Sequence, residues 1–353
     1  MQTLWKQLTS SDNLWEAYRK AATGKRGKTS TAAFEMRLEV NLLTLQDELL
    51  SEEYQPGAYD SFYIHDPKRR LISAAPFRDR VVHHALVNII GPIYENKFIH
   101  DTYANRLGKG THRALDRCTY YMRRFAYVLP VDVRQYFPSI DHDILMEIFK
   151  KSIRDEHVLG LCQKILNSGS GILKNEYDMV YFPGDDLWAV NRARGLPIGN
   201  LTSQFWANVY LNGFDHFVKR SLKCEGYVRY VDDFLLFSND KAALHSWHDK
   251  IIEYMAGLRL TIHENSTQVR PCQSGLPFLG FQVFPDHRRL KRRKGIQARR
   301  HLKTLLKFYE QGQIEQARLT ASVKGWVNHA RYGDTWGLRQ AILGEMRLPP
   351  SGK

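Results

Sequence analysis

The sequence predicts an α+β fold, and three observations support it. Leucines recur at helical spacing early in the chain, at Leu38, Leu42, Leu45 and Leu49. Residues 227–237 form an apolar, aromatic and β-branched run that is typical of strands. The length of 353 residues exceeds what one ordinary core accommodates, so we expect two or three packed units.

The remaining elements follow from periodicity and from turn residues. Helices are predicted over 4–54 with a loop at 24–31, strands over 59–75 about a basic turn at 66–70, and a helix from Asp79 to Ile93. Further along we predict a strand over 127–133, a helix from Asp141, a turn at 197–203, a helix over 204–217, a hairpin at the apolar run, a helix over 242–258 and a β element at 278–281. Residues 286–303 are strongly basic and lead into a small helical unit.

Composition indicates a polyanionic partner. The chain has 51 Lys and Arg against 37 Asp and Glu, a formal charge of +14. This charge favours nucleic acid as the partner, and a basic protein without such a partner is the alternative.

The cysteines Cys118, Cys162, Cys224 and Cys272 form no CxxC pair, so we expect reduced core thiols. No signal peptide is evident and the apolar runs are too short for a bilayer, so we expect a cytosolic protein without a membrane partner.

Two adjacent aspartates, Asp232 and Asp233, interrupt the apolar run. Because unpaired buried carboxylates are costly, they find partners or bind metal, and a hairpin could aim both at a cation. Asp132 ends an earlier predicted strand, and neighbouring strands could bring all three carboxylates to one point. Nucleotidyl transfer uses such carboxylates to hold divalent ions roughly 3.5–4 Å apart. For the pair alone, an acidic surface turn is the alternative.

Three linked motifs carry a family resemblance. Residues 132–142 resemble the first catalytic motif of reverse transcriptases, residues 230–233 resemble their Tyr-x-Asp-Asp box, and residues 195–204 resemble the template- and nucleotide-contacting turn between them. The resemblance implies an α+β right-hand polymerase with fingers, a palm with an antiparallel sheet and a small helical thumb. It implies N-terminal helices and fingers over 1–127, a palm over 128–285 with a fingers insertion near 168–196, and a basic helical thumb over 286–353.

The resemblance also implies an RNA-directed DNA polymerase and the roles of its central residues. The implied catalytic residues are Asp132, Asp232 and Asp233. The implied metal set adds Val133 to these three and would hold two Mg²⁺ ions, which Mn²⁺ can replace. Phe137 resembles the steric gate, since a bulky ring under the sugar would clash with a 2′-hydroxyl, and a core phenylalanine is the alternative.

Substrate contacts are implied around that centre. The implied nucleotide-binding residues are Lys68, Arg70, Phe137, Ile198, Gly199 and Gln204, of which the two basic residues lie on a loop that resembles the fingers hairpin. The implied nucleic-acid-binding residues are Arg78, Arg80, Arg106, Lys109, Arg292, Arg293 and Lys294. For Arg78 and Arg80, bracing of the fold is left open, and any single arginine here could lie on a solvated face. The final three follow residues 278–281, which resemble the primer grip.

Among reverse transcriptases, the chain most resembles those of diversity-generating retroelements, in residues 32–35, 72–84 and 198–204. Most reverse transcriptases have glutamine at the position of Ile198 and proline at that of Gln204. A branched aliphatic side chain cannot hydrogen-bond a nascent base pair, so discrimination by polar contacts is lost. The resemblance implies copying of a template-repeat RNA into cDNA from dNTPs with errors at adenines. It also implies a small basic oligomeric accessory protein and the cytoplasm of a bacterial or phage-infected cell.

Other interpretations stay open. A phage-defence or other retroelement reverse transcriptase would copy its own non-coding RNA by the same chemistry. A non-catalytic RNA-binding protein would not need to keep three repelling carboxylates together, and Ile198 could be a core isoleucine without a role in fidelity. Asn265 and Ser266 stand where many relatives carry lysines, so no general-acid lysine is evident. His263 could substitute or could be a plain surface histidine.

Overall fold

The computed structural model describes residues 3–65 and 68–345. Its first part consists of helices and one β-hairpin: α1 (Leu4–Leu8), α2 (Ser11–Ala22), α3 (Thr29–Glu35), α4 (Leu38–Leu50), β1 (Asp60–Ile64), β2 (Arg70–Ala74), α5 (Phe77–Glu95) and α6 (Thr111–Arg124). The predicted helices and strand pair are confirmed here. Residues 66–67 of the predicted basic turn lie outside the described residues.

The middle of the chain supplies the largest sheet. Its elements are β3 (Tyr127–Arg134), α7 (Tyr136–Ser139), α8 (His142–Lys150), α9 (Glu156–Gly169), α10 (Leu201–Tyr210), α11 (Asn212–His216), β4 (Gly226–Tyr230), β5 (Asp233–Ser238), α12 (Lys241–Gly257), β6 (Thr261–Ile262) and β7 (Arg270–Pro271). The strands form a five-stranded sheet in the order β4-β5-β3-β6, with β7 pairing β3. These pairings are antiparallel, as the predicted palm requires.

Both faces of this sheet are buried, which explains why its central strands are almost wholly apolar. Side chains alternate along β5, so Phe234 and Leu236 join the larger hydrophobic core, while Leu235 and Phe237 join a second core. Helix α6 contributes Leu115 to that second core. The strands that carry the predicted catalytic motifs are therefore held from both sides.

One observed helix begins before and ends before the residues that the sequence predicts. The pattern predicts a helix over 204–217, but α10 begins directly after Asn200, and the helical path is interrupted at Leu211 before α11. Residues 217–221 continue as a π-helical turn. The early start follows from the turn itself: Gly199 has φ +117° and Asn200 is extended, so the turn is complete before residue 201.

A buried ionic cluster holds the segment between α9 and α10, which has two short 3-10 turns. Asp141, the N-cap of α8, forms an ion pair with Arg192 Nε at 3.1 Å and accepts a hydrogen bond from Arg259 Nη1 at 2.8 Å. Arg192 Nη1 also pairs with Asp185 Oδ1 at 2.7 Å. The side chains of Asp141 and Arg192 are nearly excluded from water. The predicted insertion near 168–196 is thereby fastened to the start of α8.

The C-terminal part joins a small sheet to three helices. Its elements are β8 (Leu276–Phe278), β9 (Phe281–Val283), β10 (Arg288–Leu290), α13 (Arg292–Glu310), α14 (Gln316–Ala330) and α15 (Trp336–Gly344). The helical unit begins later than the predicted residue 286, because β10 pairs with β9 and extends the sheet first. Residues 346–353 of the predicted unit lie outside the described residues.

The four cysteines lie in the core. All four cysteines are free and buried, which confirms the prediction of reduced core thiols. Burial raises the pKa of Cys162 to about 12, so this thiol is unreactive at neutral pH.

Within residues 3–65 and 68–345, every helix is too short or too polar to cross a membrane.

Helix α5 contains a buried histidine that makes stability depend on pH. Both ring nitrogens of His83 lack a hydrogen-bond partner among the described residues. Burial, followed by the charges of His84 and Arg80, lowers the pKa of His83 to about 3. Because an unfolded histidine titrates near 6.5, the unfolded state binds a proton that the folded state does not. The free energy of unfolding therefore decreases on account of His83 as the pH falls from about 6.5 toward about 3.

We expect His83→Leu to weaken this acid destabilisation by about 1 kcal/mol per pH unit below about pH 6. Urea unfolding at about pH 7 and about pH 5 measures the effect. The exposed His245→Gln is the control, because its side chain is accessible to water in the folded state. An unchanged pH dependence in His83→Leu would contradict the assignment.

Candidate active site

A cleft of about 570 Å³ is lined by residues of β2, β3 and the turn between β4 and β5. It brings together the three predicted catalytic residues, Asp132, Asp232 and Asp233. Four of the predicted nucleotide-binding residues also line it, namely Lys68, Arg70, Phe137 and Ile198. Positive and negative side chains that are far apart in the sequence therefore meet in one cleft.

Strand pairing places two of the carboxylates side by side. Asp132 on β3 is directly opposite Asp233 on β5 in the antiparallel register, an arrangement that puts Cβ atoms about 4.5–5.5 Å apart. Asp232 lies in the two-residue turn between Tyr230 and Asp233. Val231, the other turn residue, has φ +61°, which is strained for a β-branched side chain. The predicted hairpin with both carboxylates at its turn is confirmed.

The three carboxylates leave negative charge uncompensated. Burial, followed by the charges of Asp132 and Asp232, raises the pKa of Asp233 to about 7, although Lys291 and Lys68 oppose this change. Burial and the charge of Asp132 also raise the pKa of Asp232. Carboxylates that resist ionisation in this way are relieved by a bound cation.

The donor set fits a hard divalent cation. Carboxylate oxygens are the ligands that Mg²⁺ prefers, and this ion usually keeps waters and shares substrate phosphates as ligands. Within the described residues, no group of three or more His, Cys, Asp or Glu side chains could hold a metal by itself. The side chain of Val133 is apolar and buried, so this member of the predicted metal set could contribute its main-chain carbonyl alone.

A buried ion pair braces the turn that carries Asp232. Arg229 on β4 and Asp215 on α11 are both fully buried, and Arg229 Nη2 lies 2.6 Å from Asp215 Oδ2. Arg229 Nε and Tyr227 Oη donate to the other carboxylate oxygen at 2.7 and 2.8 Å. Arg229 Nη1 also donates to the carbonyl oxygen of Val231 at 3.0 Å. The strained turn is thus bound to a fixed donor in the core.

The predicted triphosphate-binding residues lie at the start of β2. Lys68 and Arg70 are exposed and line the cleft. Between them, the guanidinium carbon of Arg69 lies 4.0 Å from the ring centroid of Tyr63. Tyr63 Oη in turn donates to Glu176 Oε1 at 2.9 Å. These contacts join the hairpin to the segment after α9 at the edge of the cleft, where an entering triphosphate would meet the two exposed cations.

Phe137 and Ile198 are half-buried at the cleft rather than enclosed in the core. Phe137 packs against the larger core, and its carbonyl oxygen accepts from Leu196 N at 2.9 Å. The carbonyl oxygen of Ile198 accepts from Ser73 N on β2 at 2.8 Å. Main-chain hydrogen bonds therefore hold both residues at the cleft, which leaves their side chains to border it.

Two other predicted nucleotide contacts lie elsewhere. Within the described residues, neither Gly199 nor Gln204 lines the cleft. A Cβ on Gly199 would meet Ile72 Cγ2 at 3.0 Å, so this glycine permits close packing of the turn on β2. Gln204 is exposed on α10, one turn beyond the start of the helix. The predicted contact of these two residues with a nucleotide therefore stays a prediction.

For Arg78 and Arg80, the structure favours bracing of the fold over contact with nucleic acid. Arg78 forms an ion pair with Glu48, and its guanidinium carbon lies 5.1 Å from the ring centroid of Tyr54. Arg80 Nε donates to the carbonyl oxygen of Ala75 at 2.7 Å. Both guanidinium groups therefore connect α5 to segments packed beside it.

Arg106 and Lys109 were predicted to hold phosphates, and the structure corrects the first assignment. The Arg106 side chain is 7% exposed, lies 2.8 Å from Glu95 and donates to the carbonyl oxygen of Ile99 at 2.6 Å. A guanidinium used in this way closes the turn after α5 and does not face a phosphate. Lys109 Nζ donates to the carbonyl oxygen of His100 at 2.8 Å but remains half-buried at the surface.

The predicted duplex contacts Arg292, Arg293 and Lys294 are exposed in the first turn of α13. Sequence reasoning missed Lys291, the N-cap of this helix, whose charge acts on Asp233. Its position inside the predicted basic run 286–303 was the available signal. No role in positioning the residues of the cleft was predicted for Arg229, Asp215 or Asn200. His263, for which two roles were left open, is exposed and lines the cleft.

Comparisons with known proteins agree with this geometry. Residues 65–283 match the family described as reverse transcriptase (RNA-dependent DNA polymerase). The chain is similar to protein YkfC of Escherichia coli (strain K12), with 25% identity over 80% of this chain and 83% of that protein. It is also similar to the group II intron-encoded protein LtrA of Lactococcus lactis subsp. cremoris, with 24% identity over 61% of this chain and 35% of LtrA.

Other relatives are longer or more distant. An uncharacterized 91 kDa protein in the cob intron of Schizosaccharomyces pombe is 30% identical over 45% of this chain, which spans 18% of that protein. A solved telomerase from Candida albicans has a TM-score of 0.47 and 12% identity, over 84% of this chain and 58% of that one, a likeness too low to add support. The family match alone covers more than half of this chain and contains all three aspartates. This protein therefore belongs to the reverse transcriptase family, with group II intron-like relatives, and is an RNA-directed DNA polymerase that binds an RNA template.

Proposed function

We propose that this polymerase copies a template-repeat RNA into adenine-mutagenised cDNA for a diversity-generating retroelement. The observation that carries the proposal is the position of Ile198 in the cleft that contains the catalytic carboxylates. An aliphatic side chain there offers no hydrogen bond to a nascent base pair, so selection by polar contacts is weak. Errors during synthesis are the expected consequence.

In this proposal, the carboxylates of Asp132 and Asp232 hold two Mg²⁺ or Mn²⁺ ions, with Asp233 and the main-chain carbonyl of Val133 in support. When bound, the cations supply charge neutralisation at the transferring phosphate and lower the pKa of the primer 3′-hydroxyl. The paired strands β3 and β5 hold the ligands in place before substrate arrives, which reduces the reorganisation needed during reaction.

Lys68 and Arg70 bind the incoming triphosphate through charge-assisted hydrogen bonds. The half-buried ring of Phe137 packs under the sugar and excludes a 2′-hydroxyl. The exposed residues Arg292 and Lys294 contact phosphates of the RNA–cDNA duplex. Because such contacts release counterions, binding of the duplex should weaken steeply as salt increases.

The proposed division assigns the N-terminal helices and fingers to residues 1–127, the palm to 128–285 with a fingers insertion near 168–196, and the basic helical thumb to 286–353. A small basic oligomeric accessory protein is the proposed protein partner, and the proposed location is the cytoplasm of a bacterial or phage-infected cell. The RNA would come from the same retroelement. These assignments rest on the motif resemblance, and the activity assay below tests the RNA and the accessory protein.

We expect Ile198→Gln to lower misincorporation opposite template adenines by about tenfold, because the amide restores a polar contact at the base pair. Primer extension on a defined RNA template with Mg²⁺ and dNTPs, followed by sequencing of the products, measures this. Ile198→Val, which keeps a branched aliphatic side chain, is the matched control and should retain the parental error spectrum. An unchanged spectrum in Ile198→Gln would remove this residue from the explanation of error.

The same assay on the unaltered enzyme tests the function itself. Errors concentrated opposite template adenines support a diversity-generating enzyme. Low and evenly distributed errors favour a phage-defence or other retroelement enzyme that copies its own non-coding RNA. Where the protein alone gives no product, addition of the locus RNA and the accessory protein tests whether they complete the active enzyme.

A further inference from the structure

Asn200 joins the turn that carries Ile198 to strand β2. Its side chain is 2% exposed. Ala75 N donates to Asn200 Oδ1 at 3.0 Å, and Asn200 Nδ2 donates to the carbonyl oxygen of Ser73 at 2.8 Å and to that of Pro197 at 3.0 Å. One buried amide therefore binds both the end of the hairpin and the turn itself.

This use of the amide is unusual for its position. Asn200 is the N-cap of α10, where an asparagine oxygen commonly accepts from the second or third amide of its own helix. Here the side chain makes no such hydrogen bond to the described residues of α10. The helix loses a stabilising cap, and the same atoms connect two segments that are remote in the sequence.

Two further contacts make the connection close. Ser73 N donates to the carbonyl oxygen of Ile198 at 2.8 Å. Gly199 packs on β2 so closely that a Cβ would lie 3.0 Å from Ile72 Cγ2. Strand β2 begins at Arg70, three residues before Ser73. The position of the turn along β2 therefore sets the separation between Arg70 and Ile198.

We propose that Asn200 is a positioning residue that fixes the triphosphate-gripping end of β2 relative to the turn beside the nascent base pair. It acts through Arg70 and Ile198 and does not touch the reacting atoms. The inference rests on the nucleotide contacts proposed above for those two residues. Loss of the amide lets the two contacts move apart, which weakens nucleotide binding while the carboxylates on β3 and β5 stay in place.

Asn200→Ala is expected to raise the KM for dNTP about tenfold and to leave kcat within about threefold. That pattern indicates lost substrate binding without lost chemistry. Steady-state extension of a defined RNA–primer complex, with each dNTP varied in turn, measures both constants. Asn200→Asp keeps an acceptor for Ala75 N but cannot donate to the two carbonyl oxygens, so it should also raise KM, and it serves where the alanine variant is unstable.

Asn13→Ala is the matched control. Asn13 Nδ2 donates to the carbonyl oxygens of Leu8 and Ala85 at 2.8 and 3.1 Å, and Asn13 Oδ1 accepts from Asn88 Nδ2 at 2.9 Å. Asn13→Ala removes the same number of side-chain hydrogen bonds as Asn200→Ala, but these join elements that do not line the cleft. The KM for dNTP should therefore not change even if stability falls.

An unchanged KM in folded Asn200→Ala or Asn200→Asp overturns the proposal. A rise in KM that Asn13→Ala reproduces at equal loss of stability also overturns it, because the effect would then follow from folding alone. The two failures are distinguishable: evenly distributed errors in the unaltered enzyme count against the diversity-generating function, whereas the KM comparison still decides the role of Asn200.

Discussion

Asp132→Asn is expected to reduce the rate of nucleotide addition about a thousandfold or more. Asparagine keeps the size of the side chain but removes a charge that lies opposite Asp233 in the sheet. Several kcal/mol of transition-state stabilisation depend on the cations held at such a site. Single-turnover primer extension at saturating dNTP and Mg²⁺ measures the rate, and RNA binding should persist because it depends on other residues.

A measurement of stability distinguishes the lost rate of nucleotide addition in Asp132→Asn from misfolding of the variant. Removal of one of three mutually repelling carboxylates should leave the metal-free protein at least as stable as the parent, because the charge of Asp132 raises the pKa of both Asp232 and Asp233. Asp249→Asn is the control, since that side chain is 83% exposed on α12. Mn²⁺ binding, followed by electron paramagnetic resonance, should weaken in Asp132→Asn alone. Activity within tenfold of the parent would refute the assignment of Asp132.

The strands that carry the predicted catalytic carboxylates could be located from the sequence because their signals are local. Two charges inside an apolar run require a special environment, and a tight turn between strands puts both at its end. The pairing of β3 with β5 and the register that places Asp132 opposite Asp233 come from the structure, since the sequence indicated only that neighbouring strands could bring the three carboxylates together. The turn at Ile198 was also found, since its proline and glycine mark a break in the chain, but it ends at Asn200 and not at the predicted residue 203.

Long-range partners could not be predicted in the same way. A positive charge in the sequence does not reveal whether it meets a phosphate or a carboxylate, and Arg106 meets Glu95. The partners of Asn200 on β2 and directly after it are 127 and 125 residues away, and only the fold brings them together. Strand β10 has three residues, too few for a periodic pattern to separate it from the helix that follows. Arg229 was a missed residue with a usable signal, because an arginine inside an apolar strand requires a buried carboxylate.

Arg229→Met is expected to destabilise the enzyme by about 3–5 kcal/mol, because it leaves Asp215 buried without a cation. Methionine approximates the length of the arginine stem, so the lost charge dominates the effect. Urea unfolding at neutral pH measures the change. Arg124→Met is the control: its ion pair with Glu225 is 3.0 Å long but mostly exposed, so its loss should cost less than about 1 kcal/mol.

The double variant Arg229→Met with Asp215→Leu separates stability from positioning. Replacement of both members of a buried ion pair by apolar side chains is often neutral or stabilising, so most of the lost stability should return. Activity should stay about tenfold or more below the parent, because the carbonyl oxygen of Val231 has lost the donor 3.0 Å away and its strained turn can relax. Recovery of activity together with stability would mean that the pair acts through folding alone. Recovery of stability without activity would mean that Arg229 also holds Asp232 in its catalytic position.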